Sequence, residues 1–143
     1  MKVEQISLFL ENKPGSMEKA TKVLSDAGIN IRALSLADTS DFGILRLILN
    51  DVDRGKKILQ ENGFTVRKTE VVAVEVPDKP GGLHSIMEAL SRSNVNVEYM
   101  YAYVERSGKD AIIIFRFDPI DAGIEALQKS GFSVLPGEKV YNI

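Results

Sequence analysis

The sequence predicts an α+β protein built from two copies of one β-α-β-β-α-β unit, and three observations carry that prediction. The chain repeats itself. Each half alternates hydrophobic stretches of strand period with stretches of helical period, and Gly or Pro-Gly signals mark the changes at matching places in both halves. At a spacing of about 66 residues, Lys13-Pro14-Gly15 falls on Lys79-Pro80-Gly81, Leu24-Ser25 on Leu90-Ser91 and Asn30 on Asn96. Further along, the spacing widens to about 68, setting Asp53 on Asp121, Gly55 on Gly123, Leu59-Gln60 on Leu127-Gln128 and Gly63-Phe64 on Gly131-Phe132. A short insertion near Ser107-Gly108-Lys109 accounts for the change. The expected domains are residues 1–69 and 70–143.

Each element has a local reason. Ile6, Leu8 and Leu10 alternate with Ser7 and Phe9 as a first strand. Pro14-Gly15-Ser16 opens a helix, with Ser16 as the expected capping residue. Met17, Ala20, Val23, Leu24 and Ala27 recur at helical spacing, and Gly28 ends the helix. A second strand is predicted over Ile29–Ala37, a polar turn at Thr39-Ser40-Asp41 and a third strand over Gly43–Leu49. Asp51 begins a helix with Val52, Ile58 and Leu59 inward and Asn62-Gly63 as its stop, and Phe64–Val72 is the fourth strand. In the second half, Val71–Val76 is a strand and Gly81–Ser93 a helix with Leu83, Ile86, Met87 and Leu90 on one stripe. Val95–Val104 and Ala111–Phe117 form a hairpin, Asp118-Pro119 starts the last helix, and Phe132–Tyr141 is a closing strand.

Two right-handed crossovers sharing one sheet make a ferredoxin-like unit: an antiparallel sheet of four strands with two helices on one face. The other face and one edge are left open. Area scaling gives roughly 7,300 Å² of exposed surface for one compact body of this mass, and roughly 1,500 Å² more for two separate halves. That difference matches a standard stable interface, so the halves are expected to pack together and a homodimer to cover the remaining apolar surface.

Composition removes whole classes of function. With 143 residues, 44% hydrophobic and 27% charged, the chain has the balance of a globular protein. No apolar run approaches the ~20 residues of a membrane span, and Glu4 and Glu11 interrupt the opening stretch too early for a signal peptide. Absence of cysteine excludes disulfides, thiol catalysis and cysteine-based metal sites and fits a cytoplasmic location. A net charge of −2 argues against nucleic acid. His84, the sole histidine, leaves no paired-histidine metal site and no partner for acid–base catalysis. No catalytic residue, metal or cofactor is expected. Asp41-Phe42-Gly43 spells a kinase triplet without the rest of the kinase motifs and reads as a hairpin turn.

Asn12-Lys13-Pro14-Gly15-Ser16-Met17, a helix, then Ala27-Gly28-Ile29-Asn30-Ile31 resembles the signature of the ACT domain. The second half repeats it as Asp78-Lys79-Pro80-Gly81-Gly82-Leu83, a helix, then Ser93-Asn94-Val95-Asn96-Val97. The resemblance spans essentially the whole chain and implies a regulatory module that binds a free amino acid where two ACT domains lie side by side. Carried over by position, Asn12, Gly15, Ser16 and Met17 would face Asn96, Val97 and Glu98. Reciprocally, Asp78, Gly81, Gly82, Leu83 and His84 would face Asn30, Ile31 and Arg32. The serine-sensing members carry a His two residues before the Asn of the turn, whereas Leu10 and Val76 stand here, so serine is not implied.

Elementary chemistry fits that resemblance. Free N–H groups at a helix start favour a carboxylate, and Gly15, Gly81 and Gly82 let a ligand reach the backbone. Asp78 and the amide oxygens of Asn30 and Asn96 are acceptors for an ammonium. A bulky residue at Gly81 or Gly82 is expected to abolish binding and leave the fold intact. Plainer roles stand beside these. Asn30 and Asn96 also suit turns, and Tyr99, Tyr101 and Tyr103 alternate onto one strand face as packing. Arg32 and Glu98 occupy matching positions and are positioned to pair. RNA-recognition, copper-chaperone and acylphosphatase readings of the same fold lack, respectively, the paired aromatics, the cysteines and the arginine that they need. The expectation is a stand-alone, non-catalytic amino-acid sensor acting on an unidentified enzyme, or alternatively a protein–protein adaptor with empty sites.

Overall fold

The computed structural model describes residues 1–38, 41–103 and 110–142. They form two compact units: a first unit of Glu4–Thr69, and a second of Glu70–Tyr141 that also holds Met1–Val3. The turn at Thr39-Ser40, the end of the fifth strand at Val104 and the insertion at Ser107-Gly108-Lys109 lie outside the described residues.

In the first unit, β1 (Val3–Glu11), α1 (Ser16–Asp26), β2 (Ile31–Asp38), β3 (Phe42–Leu49), α2 (Val52–Glu61) and the start of β4 (Thr65–Pro77) follow in order. β3 lies antiparallel between β1 and β2, with Leu8 opposite Leu45 and Ile6 opposite Leu47, and β4 flanks β1. The strand order β2-β3-β1-β4 is that of a ferredoxin-like unit. Ile6, Leu8, Leu45 and Leu47 are fully buried together with Ala20 and Leu59 from the two helices. Strand periodicity on one side and helical periodicity on the other thus converge on one core. Asp51 caps α2 by accepting from the Arg54 amide. Lys68 bridges Glu4 and Asp53 at 3.1 Å each, and hydrogen bonds, first to Glu4 and then to Asp53, hold its pKa above the usual lysine value.

The second unit continues with α3 (Gly82–Arg92), β5 (Asn96–Ala102), β6 (Asp110–Asp118), α4 (Ile120–Lys129), β7 (Val134–Leu135) and α5 (Gly137–Tyr141). Here β6 pairs antiparallel with both β4 and β5. Val72, Val74, Val76, Ile86, Leu90, Phe115, Phe117 and Leu127 form its core. Gly123 allows α4 to lie directly on the Phe117 ring, which a Cβ there would strike. No helix among the described residues is long and apolar enough to cross a membrane.

Three expectations are corrected. The two strands predicted to meet near residue 71 are one strand, β4, because Arg67-Lys68-Thr69-Glu70 contains no turn-forming residue to break it. The closing strand predicted over Phe132–Tyr141 shrinks to Val134–Leu135, opposite Val74 and Ala73, and is followed by α5. Pro136 explains the change: it has no N–H for a ladder, and its carbonyl accepts from the amides of Lys139 (3.1 Å) and Val140 (3.4 Å), which starts a helical turn. The Tyr103 hydroxyl then donates to the buried Val140 carbonyl at 2.8 Å, so Tyr103 anchors α5 within its own unit. Finally, Ser16 is not a cap. Gly15 holds that position in the left-handed conformation (φ 91°), and no side chain caps α1.

Two stability predictions follow from these contacts. Gly82 is buried and its missing Cβ would run into the Pro77 carbonyl oxygen, while Gly81 sits at φ 89°. Neither position accepts a bulky residue with the fold undisturbed, which replaces the expectation drawn from sequence. Gly82→Ala is expected to cost about 1–3 kcal/mol by overpacking, read as a lowered denaturation midpoint. Tyr103→Phe is expected to cost about 1 kcal/mol for the lost hydrogen bond, measurable by urea unfolding, with faster amide exchange confined to α5.

Candidate functional site

Both units build the same corner between their first strand and first helix. In the first, the Lys13 amide donates to the Glu11 carbonyl (2.9 Å), Ser16 to Lys13 (3.4 Å) and Lys19 to Gly15 (3.0 Å). In the second, Lys79 donates to Pro77 (2.9 Å), Gly82 to Lys79 (3.0 Å) and Ser85 to Gly81 (3.0 Å). The φ values of Gly15 and Gly81, 91° and 89°, make that bond pattern reachable; an L side chain is strained there. No side-chain cap closes either helix. The amides of Met17 and Glu18, and of Leu83 and His84, therefore sit at open helix starts, where positive dipole ends favour an anion.

The side chains predicted around these corners are distributed as follows. Asn12 is exposed, and its amide donates to the Asp41 carbonyl at 2.9 Å, tying the corner to the start of β3. Met17 is half-buried. Asp78 and Leu83 are exposed, and His84 is 76% exposed with Nε2 3.9 Å from the Glu88 carboxylate, one turn along α3.

The strand-start residues form a second matched pair of features. Asn30 and Ile31 line a recess of about 420 Å³ with Thr21, Leu24, Ser25, Gly28 and Ile29. Asn96 and Val97 line one of about 270 Å³ with Met87, Leu90, Ser91, Asn94 and Val95. These linings correspond residue for residue between the repeats, which is independent support for the alignment of the two halves. The Asn30 amide donates to Asn50 Oδ1 (3.0 Å) and its carbonyl accepts from the Asn50 amide (3.1 Å). Asn96 instead stands opposite Asp118 in the β5–β6 ladder. Glu98 has a partner within its own unit: its carboxylate lies 3.4 Å from Nε of Arg116, whose Nη1 also donates to the Glu70 carbonyl at 3.0 Å.

Within one unit the corner and the strand start are not brought together. α1, with 11 residues, is about 16 Å long and separates Gly15 from Asn30. A small ligand that touches a corner and a strand start at once must take them from two different units.

Sequence reasoning missed a further recess. It holds about 500 Å³ beside the first-unit corner and is lined by Phe9, Leu10, Glu11, Lys13, Gly15, Ser16, Lys19, Phe42 and Phe64, among others. Phe9 and Phe42 are 41% and 53% exposed, Lys19 Nζ lies 5.5 Å from the centre of the Phe64 ring, and Lys13 pairs with Glu11 at 3.0 Å. The signal was an aromatic residue at an outward strand position, which the alternation of β1 made visible. Among the described residues no group of three or more His, Asp or Glu is placed to hold a metal.

The profile of the ACT domain pair matches residues 1–141. A solved structure of protein BT0572 from Bacteroides thetaiotaomicron is 37% identical, with a TM-score of 0.94 over 100% of this chain and 98% of that one. The regulatory subunits of aspartate kinase from Thermus flavus and Thermus thermophilus (ligand-free form) share the fold at 15% identity and TM-score 0.63. They cover 89% and 90% of this chain and 91% and 92% of their own. No protein of curated function matches the sequence.

The Asn50 bonds give a local prediction. Asn50→Ala is expected to speed hydrogen exchange at the Asn30 amide about fivefold, since one lost hydrogen bond is worth roughly 1 kcal/mol, and to leave exchange at Asn96 unchanged.

Proposed function

The chain belongs to the ACT domain pair family, a regulatory domain type homologous to domains that bind amino acids, and on that premise we propose that it is a non-catalytic sensor of a free amino acid. The observation that carries this reading is the glycine corner built twice with the same hydrogen bonds and the same uncapped helix start. A carboxylate suits those amides, and the carbonyls and carboxamides near Asn30 and Asn96 suit an ammonium. The residues proposed to hold the ligand are Asn12, Gly15, Ser16 and Met17 or Asp78, Gly81, Gly82, Leu83 and His84. Strand-start residues complete the site: Asn30, Ile31 and Arg32, or Asn96, Val97 and Glu98. They come from a second ACT unit, of the same chain or of another copy. Gly82 takes part through its backbone and as the residue that lets the corner close.

A sensor without chemistry of its own acts by favouring one arrangement of its units or of a bound enzyme over another. A homodimer in the cytoplasm, regulating an enzyme yet to be identified, is the setting we propose. A thermal-shift screen of the common amino acids tests it. At a hundredfold over its dissociation constant, a true ligand adds roughly 2.7 kcal/mol of stability. A flat response to every amino acid at millimolar concentration would remove the sensor reading in favour of an adaptor with empty sites.

A further inference from the structure

We propose that the first-unit recess selects a small carboxylate bearing an aromatic ring, and that the matching place in the second unit does not. This deepens the amino-acid reading above and rests on it for the location of the carboxylate.

Three rings line the recess. Glu11 stands opposite Phe42 in the β1–β3 ladder, and Phe9 lies two residues before Glu11, so Phe9 and Phe42 occupy one face as diagonal neighbours. Phe64 lines the recess from the turn before β4. Two of these rings are exposed to an extent that water penalises. The volume of about 500 Å³ falls within the usual range of small-molecule pockets and well exceeds the roughly 150 Å³ that holds a benzene ring. Charge decides the other half of the ligand. The lining carries Lys13 and Lys19 against Glu11, and with the Glu11–Lys13 pair formed, Lys19 is the cation in excess. Its ammonium already sits over a ring, where an incoming carboxylate meets it without displacing an ion pair.

The second repeat reverses these features. Glu75 stands where the first has Phe9, and Ser85 where it has Lys19. Asp110, opposite Pro77, stands where Phe42 is opposite Glu11. Phe132 alone retains the ring of Phe64. Lys139 pairs with Glu75 at 3.8 Å, so the place offers a carboxylate no counterpart of the Lys19 ammonium while Asp110 adds an acid, and two of the three rings are gone.

The test is isothermal titration of the full chain with phenylalanine, 3-phenylpropionate, leucine and alanine, repeated on Phe42→Ala and Lys19→Met. Phenylalanine is expected to bind several-fold to tenfold more tightly than leucine, the range that ring–ring contact supplies, with a single site per chain. Phe42→Ala should erase that preference, and Lys19→Met should weaken both aryl acids and flatten their salt dependence. Binding of 3-phenylpropionate without phenylalanine would support ring selection while overturning the amino-acid reading. Leucine or alanine binding as well as phenylalanine would overturn ring selection and leave the amino-acid reading standing. If Phe42→Ala dissociates an oligomer, measured by sedimentation, without changing ligand preference, the exposed rings belong to a contact between copies and the inference is wrong. Failure of both aryl probes to bind the parent chain also overturns it. Circular dichroism of both variants guards against a folding defect, and Lys19→Met, on an exposed helix face, gives a second independent reading.

Discussion

Everything in each unit depends on turning an extended strand into a helix within a few residues while keeping the helix pressed on its sheet. Gly15 and Gly81, near φ 90°, accomplish the turn. The residues around them then bond backbone to backbone, from Lys13 to Glu11 and from Lys79 to Pro77. One consequence is packing: Ala20 and Leu24, like Ile86 and Leu90, arrive over the strands at the right phase to be buried. Another is chemical. A glycine has no side chain to cap a helix, so the same residue that makes the turn leaves amides open at its far side. Fold and anion preference come from one backbone conformation.

What was legible from sequence follows the same division. Gly, Pro and Asn impose backbone geometry directly, so the repeat, the strand and helix order and the two corners could be read from residue types. The misreadings occurred where a residue's effect depends on something distant. Ser16 is a good cap by local preference, yet Gly15 had already taken the position. The alternation of Phe132 to Tyr141 resembles a strand, but Pro136 withholds the donor a ladder needs, and Tyr103, just past the end of β5, supplies a partner for the helical alternative. Glu98 also has a partner in its own hairpin, Arg116, which the matching positions of Arg32 and Glu98 did not signal. Phe9, Phe42 and Phe64 lie far apart in the chain, and only folding gathers them into one recess.

The two repeats therefore differ in a patterned way. Residues that set the backbone are kept: Pro14-Gly15 and Pro80-Gly81, Gly63 and Gly131, Asn30 and Asn96. Residues that line the surface around the corners have diverged: Phe9 against Glu75, Lys19 against Ser85, Ser16 against Gly82. Gly82 shows the cost of such drift. Its backbone lies so close to the Pro77 carbonyl that a side chain is excluded, whereas the first repeat holds a serine at the matching place. Equal scaffolds thus carry unequal rims.

The separation of corner from strand start supplies the last step. α1 and α3 are each 11 residues long, about 16 Å, and each holds its corner at one end and its recess at the other. A free amino acid is too short to bridge them within a unit. Any ligand that engages both features must draw on two units, and its binding energy then depends on their being together. Linkage makes this reciprocal: whatever favours that juxtaposition tightens the ligand, and the ligand favours the juxtaposition by the same free energy. On the proposed reading, that reciprocity is enough to convert the concentration of a small molecule into a change of assembly.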